Sequence, residues 1–183
     1  MNRCKWCNLN NPKYIDYHDY EWCKPNFDDQ YLFEMLILES FQAGLSWECV
    51  LNKRENFKNA LDHFDINKIS NYDDKKIEEL LKNQGIIRNK LKIKASINNS
   101  KIFKNIQKEY GTFHNYLKSF TKDTILYETG KTTNDLSDQL SKDLQKRGMR
   151  FVGSTIIYSY LQAIGVIYSH EEDCFMYKNE SSR

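Results

Sequence analysis

Four residues at the two ends of the chain carry side chains suited to holding a metal. Cys4 and His18 lie near the start, His170 and Cys174 near the end. Thiolate sulfur and neutral imidazole are the donors zinc prefers in a closed tetrahedral site. His170 and Cys174 are four apart, so one helical turn would set both on one side. A clip between these ends would order both termini and close a very long loop. Cys4 and Cys7 offer a rival C-x-x-C half-site, ranked second because Cys7 needs a partner pair and only one such pair stands near the C-terminus. On spacing alone, four unrelated buried thiols and hydrogen-bonded imidazoles stand as the alternative.

A second set of residues suits a flat, cationic ligand. Trp6, Tyr14, Tyr17, Tyr20, Trp22 and Trp47 bracket Glu39, the acidic residue of the apolar run LILESF. Aromatic faces sandwich a base turned out of its helix and hold it more strongly when it is cationic. A carboxylate among them accepts hydrogen bonds from the base edge. The plain alternative is that the rings are core and Glu39 is an exposed helix residue.

A third set suits phosphate. Leu140 to Ala163 reads LSKDLQKRGMRFVGSTIIYSYLQA: a helix ending at a glycine, a short apolar link, and a second glycine opening another helix. Gly148 and Gly153 allow tight turns with positive φ. The first amides of the second helix then face outward and can hold an anion, with Lys146, Arg147 and Arg150 adding charge. This pattern is a helix-hairpin-helix signature for sequence-independent backbone binding. Its plain alternative is an ordinary turn between helices.

The elements that must position these sets read as helices. Asp28 and Asp29 cap a helix to about Ala43, and Gly44 interrupts it. Ser46 caps a second helix through Phe57. Asp65 and Asp73 start two more, the second stopping near Gly85. A long helix runs from about Asn89 to Glu109, and a short one from Thr112 to Phe120. Thr121 to Leu136 is the least patterned stretch and reads as a surface loop. Ser137 caps a helix to Arg147, and Ser154 to Ile167 is an apolar core helix. Met1 to Asn26 and Tyr168 to Arg183 lack helical periodicity. Strand signals are poor throughout.

Length and composition agree. The 183 residues suit one domain, 40% hydrophobic residues supply a core, and 28% charged residues argue against disorder. The net charge of +2 permits a nucleic-acid partner without requiring one. Lys142, Lys146, Arg147 and Arg150 crowd one segment; Arg88, Asn89, Lys90, Lys92 and Lys94 crowd another, and solvated helix faces explain either cluster equally well. No apolar stretch follows the first basic residue, so no secretory signal is expected. Ile156 to Tyr168 is too short to span a membrane. Five cysteines without a secretory context point to thiols or metal ligands in the cytoplasm.

The stretches RCKWC, YIDYHDYEW, LFEMLILESFQAGLSW, GIIRNKLKI, DLSDQLSKDLQKRGMRFVGSTIIYSYLQAIG and HEEDC together resemble bacterial 3-methyladenine DNA glycosylase I, from Arg3 to Cys174. The resemblance implies an all-α, helix-hairpin-helix DNA glycosylase fold with a zinc site joining the N- and C-terminal segments. It implies a single unit over 1–183, with a helical core of about 28–167 and zinc-tethered termini 1–27 and 168–183. The implied activity is monofunctional hydrolysis of the N-glycosidic bond of 3-methyladenine, in base excision repair. The implied partner is double-stranded DNA containing alkylated adenine, met by a cytoplasmic monomer without a membrane.

By the same resemblance one structural zinc falls on Cys4, His18, His170 and Cys174, and the base-recognition carboxylate on Glu39. The stacking aromatics fall on Tyr17 and Trp47, with Trp6, Tyr14 and Trp22 around them. Gly44, Leu45 and Ser46 look like the loop that fills the gap left by the flipped base. Lys146, Arg147, Gly148, Arg150 and Gly153 fall on the DNA-binding hairpin. Met149 departs from the family pattern, which has an aromatic there. Cys7 and Cys23 are unusual, and Thr121 to Leu136 matches poorly. No carboxylate stands between Gly153 and His170, which fits the family named and chemistry driven by the leaving group; no lysine matches a nucleophile, which argues against a lyase step.

Overall fold

The computed structural model describes residues 1–179; positions 180–183, part of the expected C-terminal tether, lie outside them. The described residues are mostly helical. The centre is helix α2 (Asp29–Gln42), reached after the short α1 (Pro12–Asp16). The Asp28 carboxylate caps α2 by accepting from the amides of Gln30 and Tyr31, worth about 1 kcal/mol for such a cap. From Leu32 to Phe41 all residues but Glu34 are buried. A helix apolar on every side belongs inside, and its neighbours cover it: α3 (Trp47–Asn52), α7 (Lys90–Tyr110), α8 (Phe113–Thr121) and α10 (Ser154–Ala163) all pack against it.

Caps set most boundaries where the spacing placed them. Asp65 caps α5 (Ile66–Ile69), Asp73 caps α6 (Asp74–Lys82), and Asn89 caps α7, which ends at Gly111 with φ 83°. Several expectations change. Ser46 does cap α3, accepting from the Cys49 amide, but the helix breaks at Lys53 and α4 (Arg54–Ala60) follows. The cap of α9 (Asp135–Lys146) is Asn134, not Ser137. Ser137 is the reciprocal partner three residues on, its hydroxyl accepting from the Asn134 amide.

The core helix stops at Ala163, short of the expected Ile167. Gly165 takes φ 78°, and a Cβ there would lie 2.3 Å from backbone atoms of Lys24 and Pro25. The chain turns against the N-terminal segment, where the Cys23 amide donates to the Gln162 carbonyl at 3.0 Å. Beyond the turn, β2 (Ile167–Tyr168) pairs in parallel with β1 (Leu126–Tyr127), Leu126 opposite Ile167. The poorly patterned stretch 121–136 is thereby anchored to the core; two residues are too few for a period-2 signal. The N-terminal segment is also more helical than expected: a π-turn, Tyr17–Glu21, follows α1 directly.

Candidate active site and metal centre

The π-turn sets Tyr17, His18 and Asp19 in succession, all buried. Such wide turns recur at functional sites because they redirect consecutive side chains. Tyr17 points toward α2 and α3, while His18 faces the C-terminal segment. There a tight turn, not the expected helical one, brings His170 and Cys174 together, the Cys174 amide donating to Glu171 at 2.9 Å.

Cys4, His18, His170 and Cys174 converge in one buried cluster, with a ligand atom from each within 4.8 Å of the others. Cys4 Sγ lies 3.5 Å from His170 Nδ1; Cys174 Sγ lies 3.6 Å from His170 Nδ1 and 3.5 Å from His18 Nε2. A tetrahedral ion at about 2.3 Å from sulfur and about 2.0–2.1 Å from nitrogen spaces neighbouring S and N donors about 3.5–3.6 Å apart. The donors therefore fit a metal. Their chemistry agrees: burial holds the His170 imidazole down at about 4, in its neutral ligating form. Burial pushes the Cys4 thiol up to about 12, so a cation must supply the charge that ionises it.

Sequence reasoning missed the shell behind this cluster. Asp19 Oδ1 lies 2.7 Å from His18 Nδ1, and Arg3 grips the same carboxylate with Nε at 2.8 Å and Nη2 at 2.7 Å. A proton on Nδ1 leaves the Nε2 lone pair facing the sulfurs. The signal was present in the adjacency of His18 and Asp19. Cys7, the rival ligand, points away and donates to the Tyr14 carbonyl at 3.7 Å. Cys23 is buried behind Ser169, whose amide donates to its sulfur.

A cavity of about 380 Å³ opens beside the cluster, within the range of small-ligand pockets. Trp6, Tyr14, Tyr17, Trp22 and Trp47 line it, as does Glu39. Tyr17 and Trp47 sit 5.3 Å apart at 48°, and Trp6 and Trp22 meet edge-on at 4.7 Å. The Cys/His cluster buttresses this wall: the His18 ring lies 5.3 Å from Trp6, and the His170 ring 4.7 Å from Trp22. Tyr20 is exposed and lies outside the cavity.

Glu39 is 2% exposed, and its Oε2 has no partner among the described residues. Desolvation pushes the carboxyl well above its ordinary value of 4.5. An uncompensated buried carboxylate is costly, so the plain reading of an exposed Glu39 fails. Trp47 Nε1 and Gln42 Oε1 are buried without partners as well, and both residues face the same cavity. Gly130, Lys131 and Thr132 close the far side, with Ser159, Gln162, Ser169 and Glu171. These wall residues carry no sequence signal, because they come from a loop and from helix positions that tertiary packing alone juxtaposes.

Gly44, Leu45 and Ser46 are exposed at the end of α2, Leu45 at 43%. In the hairpin, Gly148 has φ 96° and ends α9. Gly153 does not need the positive φ expected of it: it takes −62°, and Phe151 adopts 56° instead. A Cβ on Gly153 would meet nothing within 4 Å, so the approach to the start of α10 is open. No side chain caps that end. Lys146 and Arg150 are exposed, and Met149 is buried beneath them. Arg147 is engaged: its guanidinium binds Glu109 at 2.6 Å and Asp143 at 2.7 Å. Lys92, from the basic cluster with Arg88, Asn89, Lys90 and Lys94, is buried, so the solvated-face reading fails for it.

Residues 6–177 match the family described as methyladenine glycosylase. The chain is 41% identical over 184 residues to DNA-3-methyladenine glycosylase 1 of Escherichia coli (strain K12), covering 97% of each chain. It is similar to the crystal structure of a 3-methyladenine DNA glycosylase I with a TM-score of 0.92 and 39% identity, covering 97% of this chain and all of that one. A variant of a 3-methyladenine DNA glycosylase I in complex with 3-methyladenine matches with a TM-score of 0.90 and 31% identity, covering 96% of this chain and 97% of the other.

Proposed function

The chain belongs to the methyladenine glycosylase family, and on that premise we propose that it is a DNA-3-methyladenine glycosylase I, excising 3-methyladenine from alkylated duplex DNA as a cytoplasmic monomer. The observation that carries this is Glu39: a buried carboxylate, without a partner among the described residues, at the wall of an aromatic cavity roomy enough for a base.

Adenine methylated at N3 is cationic while still bonded to deoxyribose. When the bond from C1′ to the base breaks, the base keeps the electron pair and leaves neutral. A water oxygen then bonds to C1′ and releases a proton, leaving an abasic site. The chain's work is selection and placement. Tyr17 and Trp47 stack on the extruded base, with Trp6, Tyr14 and Trp22 as the surrounding wall. Glu39 accepts from the amino group and answers the positive charge, which lowers its raised pKa back toward ionisation. No group needs to donate a proton to so good a leaving group.

Gly44, Leu45 and Ser46 form the plug, Leu45 filling the gap in the stack. The helix-hairpin-helix motif around Gly148 and Gly153 presents the first amides of α10 to a phosphate, flanked by Lys146 and Arg150. Arg147 braces this motif from behind.

The cluster Cys4, His18, His170 and Cys174 holds one zinc. Four protein donors close the site, and the ion, when bound, supplies a structural cross-link between segments 1–27 and 168–183, making one unit of the chain. Its effect on the reaction is indirect, through the Trp6 and Trp22 wall. No helix among the described residues is long and apolar enough to cross a membrane.

Chromatography of the bases released from methylated duplex DNA tests the reading. Free 3-methyladenine and abasic sites are expected. A folded, metal-loaded protein that binds DNA and releases no base would make it a binding module instead, and release of 3-methylguanine at a comparable rate would widen the substrate.

A further inference from the structure

Lys92 is 6% exposed and lies in the first turn of α7, three residues after its cap. A cation is disfavoured at the N-terminus of its own helix, and burying an ammonium requires partners. Lys92 finds them on another element. Its Nζ donates to the Phe41 carbonyl at 2.8 Å and to the Ala43 carbonyl at 2.5 Å. Phe41 lies in the last turn of α2 and Ala43 is its C-cap, where carbonyls lack helical partners and the dipole favours a positive charge. Gly44, Leu45 and Ser46 follow directly. The same ammonium lies 5.9 Å from the Phe151 ring, in the hairpin.

The contacts continue along α7. Asn98 Nδ2 donates to the Gly148 carbonyl at 2.8 Å; Asn99 Nδ2 donates to the Arg150 carbonyl at 2.9 Å, and Asn99 Oδ1 accepts from the Arg150 amide at 2.9 Å. Glu109, near the end of α7, holds Arg147. One helix therefore bonds, through its side chains, the backbone at the end of α2 and the backbone of the hairpin. Apolar packing alone would not need a lysine aimed at two carbonyls.

We propose that Lys92 is a positioning residue for base extrusion: through α7 it fixes the plug loop 44–46 at a set distance from the backbone-binding hairpin 148–153. When the hairpin seats on a phosphate, Leu45 then stands in register with the stack. The inference rests on the assignment of Leu45 as the plug and of the hairpin as the clamp. It gives the unexplained lysine of GIIRNKLKI a task that no contact with the base provides.

The test separates extrusion from the pocket. Excision is measured on a methylated duplex and on the same methylated oligonucleotide as a single strand. Binding of free 3-methyladenine is followed by tryptophan fluorescence. Lys92→Met should lower duplex excision roughly tenfold or more, the scale of a charge-assisted hydrogen bond, and leave the other two within about twofold. Leu45→Ala should show the same pattern. The double variant should be little worse than the more impaired single one, because the two act as a unit. Lys92→Arg, which keeps two donors, should restore the ratio of duplex to single-strand excision. Should Lys92→Met not fold, Lys92→Gln is read on the same ratio. Equal losses on duplex and single strand would make Lys92 merely structural and overturn the inference. A normal duplex rate in Lys92→Met beside an impaired Leu45→Ala would do the same while leaving the plug intact. A normal duplex rate in Leu45→Ala would remove the plug itself, and this inference with it.

Discussion

Glu39 is a carboxylate held buried at a cost, which fits the task proposed for it. No described residue answers its Oε2, and burial alone raises its pKa. The native state therefore binds a proton more tightly than the unfolded chain does. As pH rises above the ordinary 4.5, the unfolded carboxyl ionises first and stability falls until the folded group ionises too. Glu39→Gln removes this drain. Its melting temperature should exceed that of the native protein at neutral pH, with a margin that shrinks as pH falls toward 4.5. Excision should move the other way, slowing roughly ten- to a thousandfold, from one charge-assisted hydrogen bond to one strong electrostatic stabiliser. The native enzyme should also gain activity with pH as Glu39 ionises, and the glutamine variant should lack that limb. Single-turnover release across pH, beside thermal melts, measures both. A glutamine variant as fast as the native enzyme would leave recognition to Tyr17 and Trp47.

At the scale of elements, the hairpin is the informative case. Gly153 is not required by its backbone angle, and the space where a side chain would go is open. A glycine kept without a conformational need fits a close approach by something outside the chain. Gly153→Val should therefore fold with near-native stability. It should weaken binding to any duplex sequence by a similar factor, because phosphate contacts carry no sequence information. Affinity of the native protein should fall steeply with salt as counterions are taken up again. Titrations of several undamaged duplexes at two or more salt concentrations check this; unchanged binding by a folded Gly153→Val would reduce the hairpin to a turn.

The whole molecule depends on the closure of its ends. Cys4 and His18 are separated from His170 and Cys174 by the entire helical core, and the His rings of the cluster pack against Trp6 and Trp22. Metal loss should therefore act at two levels. His170→Ala, or prolonged chelation, should lower metal content from about one zinc per chain and lower the melting temperature. A drop of at least roughly 5 °C is expected, since each kcal/mol is worth about 2–4 °C in a chain of this size. Free 3-methyladenine should bind more weakly in the same preparation, because the wall of its cavity has lost its backing. Metal analysis, calorimetry and base titration on one sample test the link. Retention of metal in Cys4→Ala with loss in Cys7→Ala would replace the ligand set.

Helix caps, the apolar run of α2, the donor set and the glycine-flanked hairpin were legible in the residues, because each is a local pattern or a set of uncommon types. The aromatics around Glu39 were legible as types, and the structure gathers five of them with it at one cavity. What the sequence could not reveal lies between elements. The shortening of α10 follows from the approach of Lys24 and Pro25 to Gly165. The anchoring of 121–136 follows from a two-residue strand pair. The grip of Arg3 on Asp19, the 130–132 wall of the cavity, and the inward turn of Lys92 are contacts across 16 to more than 100 positions. Periodicity and spacing report on one element at a time. Burial decides whether Glu39 or Lys92 is a solvated charge or a held one, and burial is a property of the packed whole.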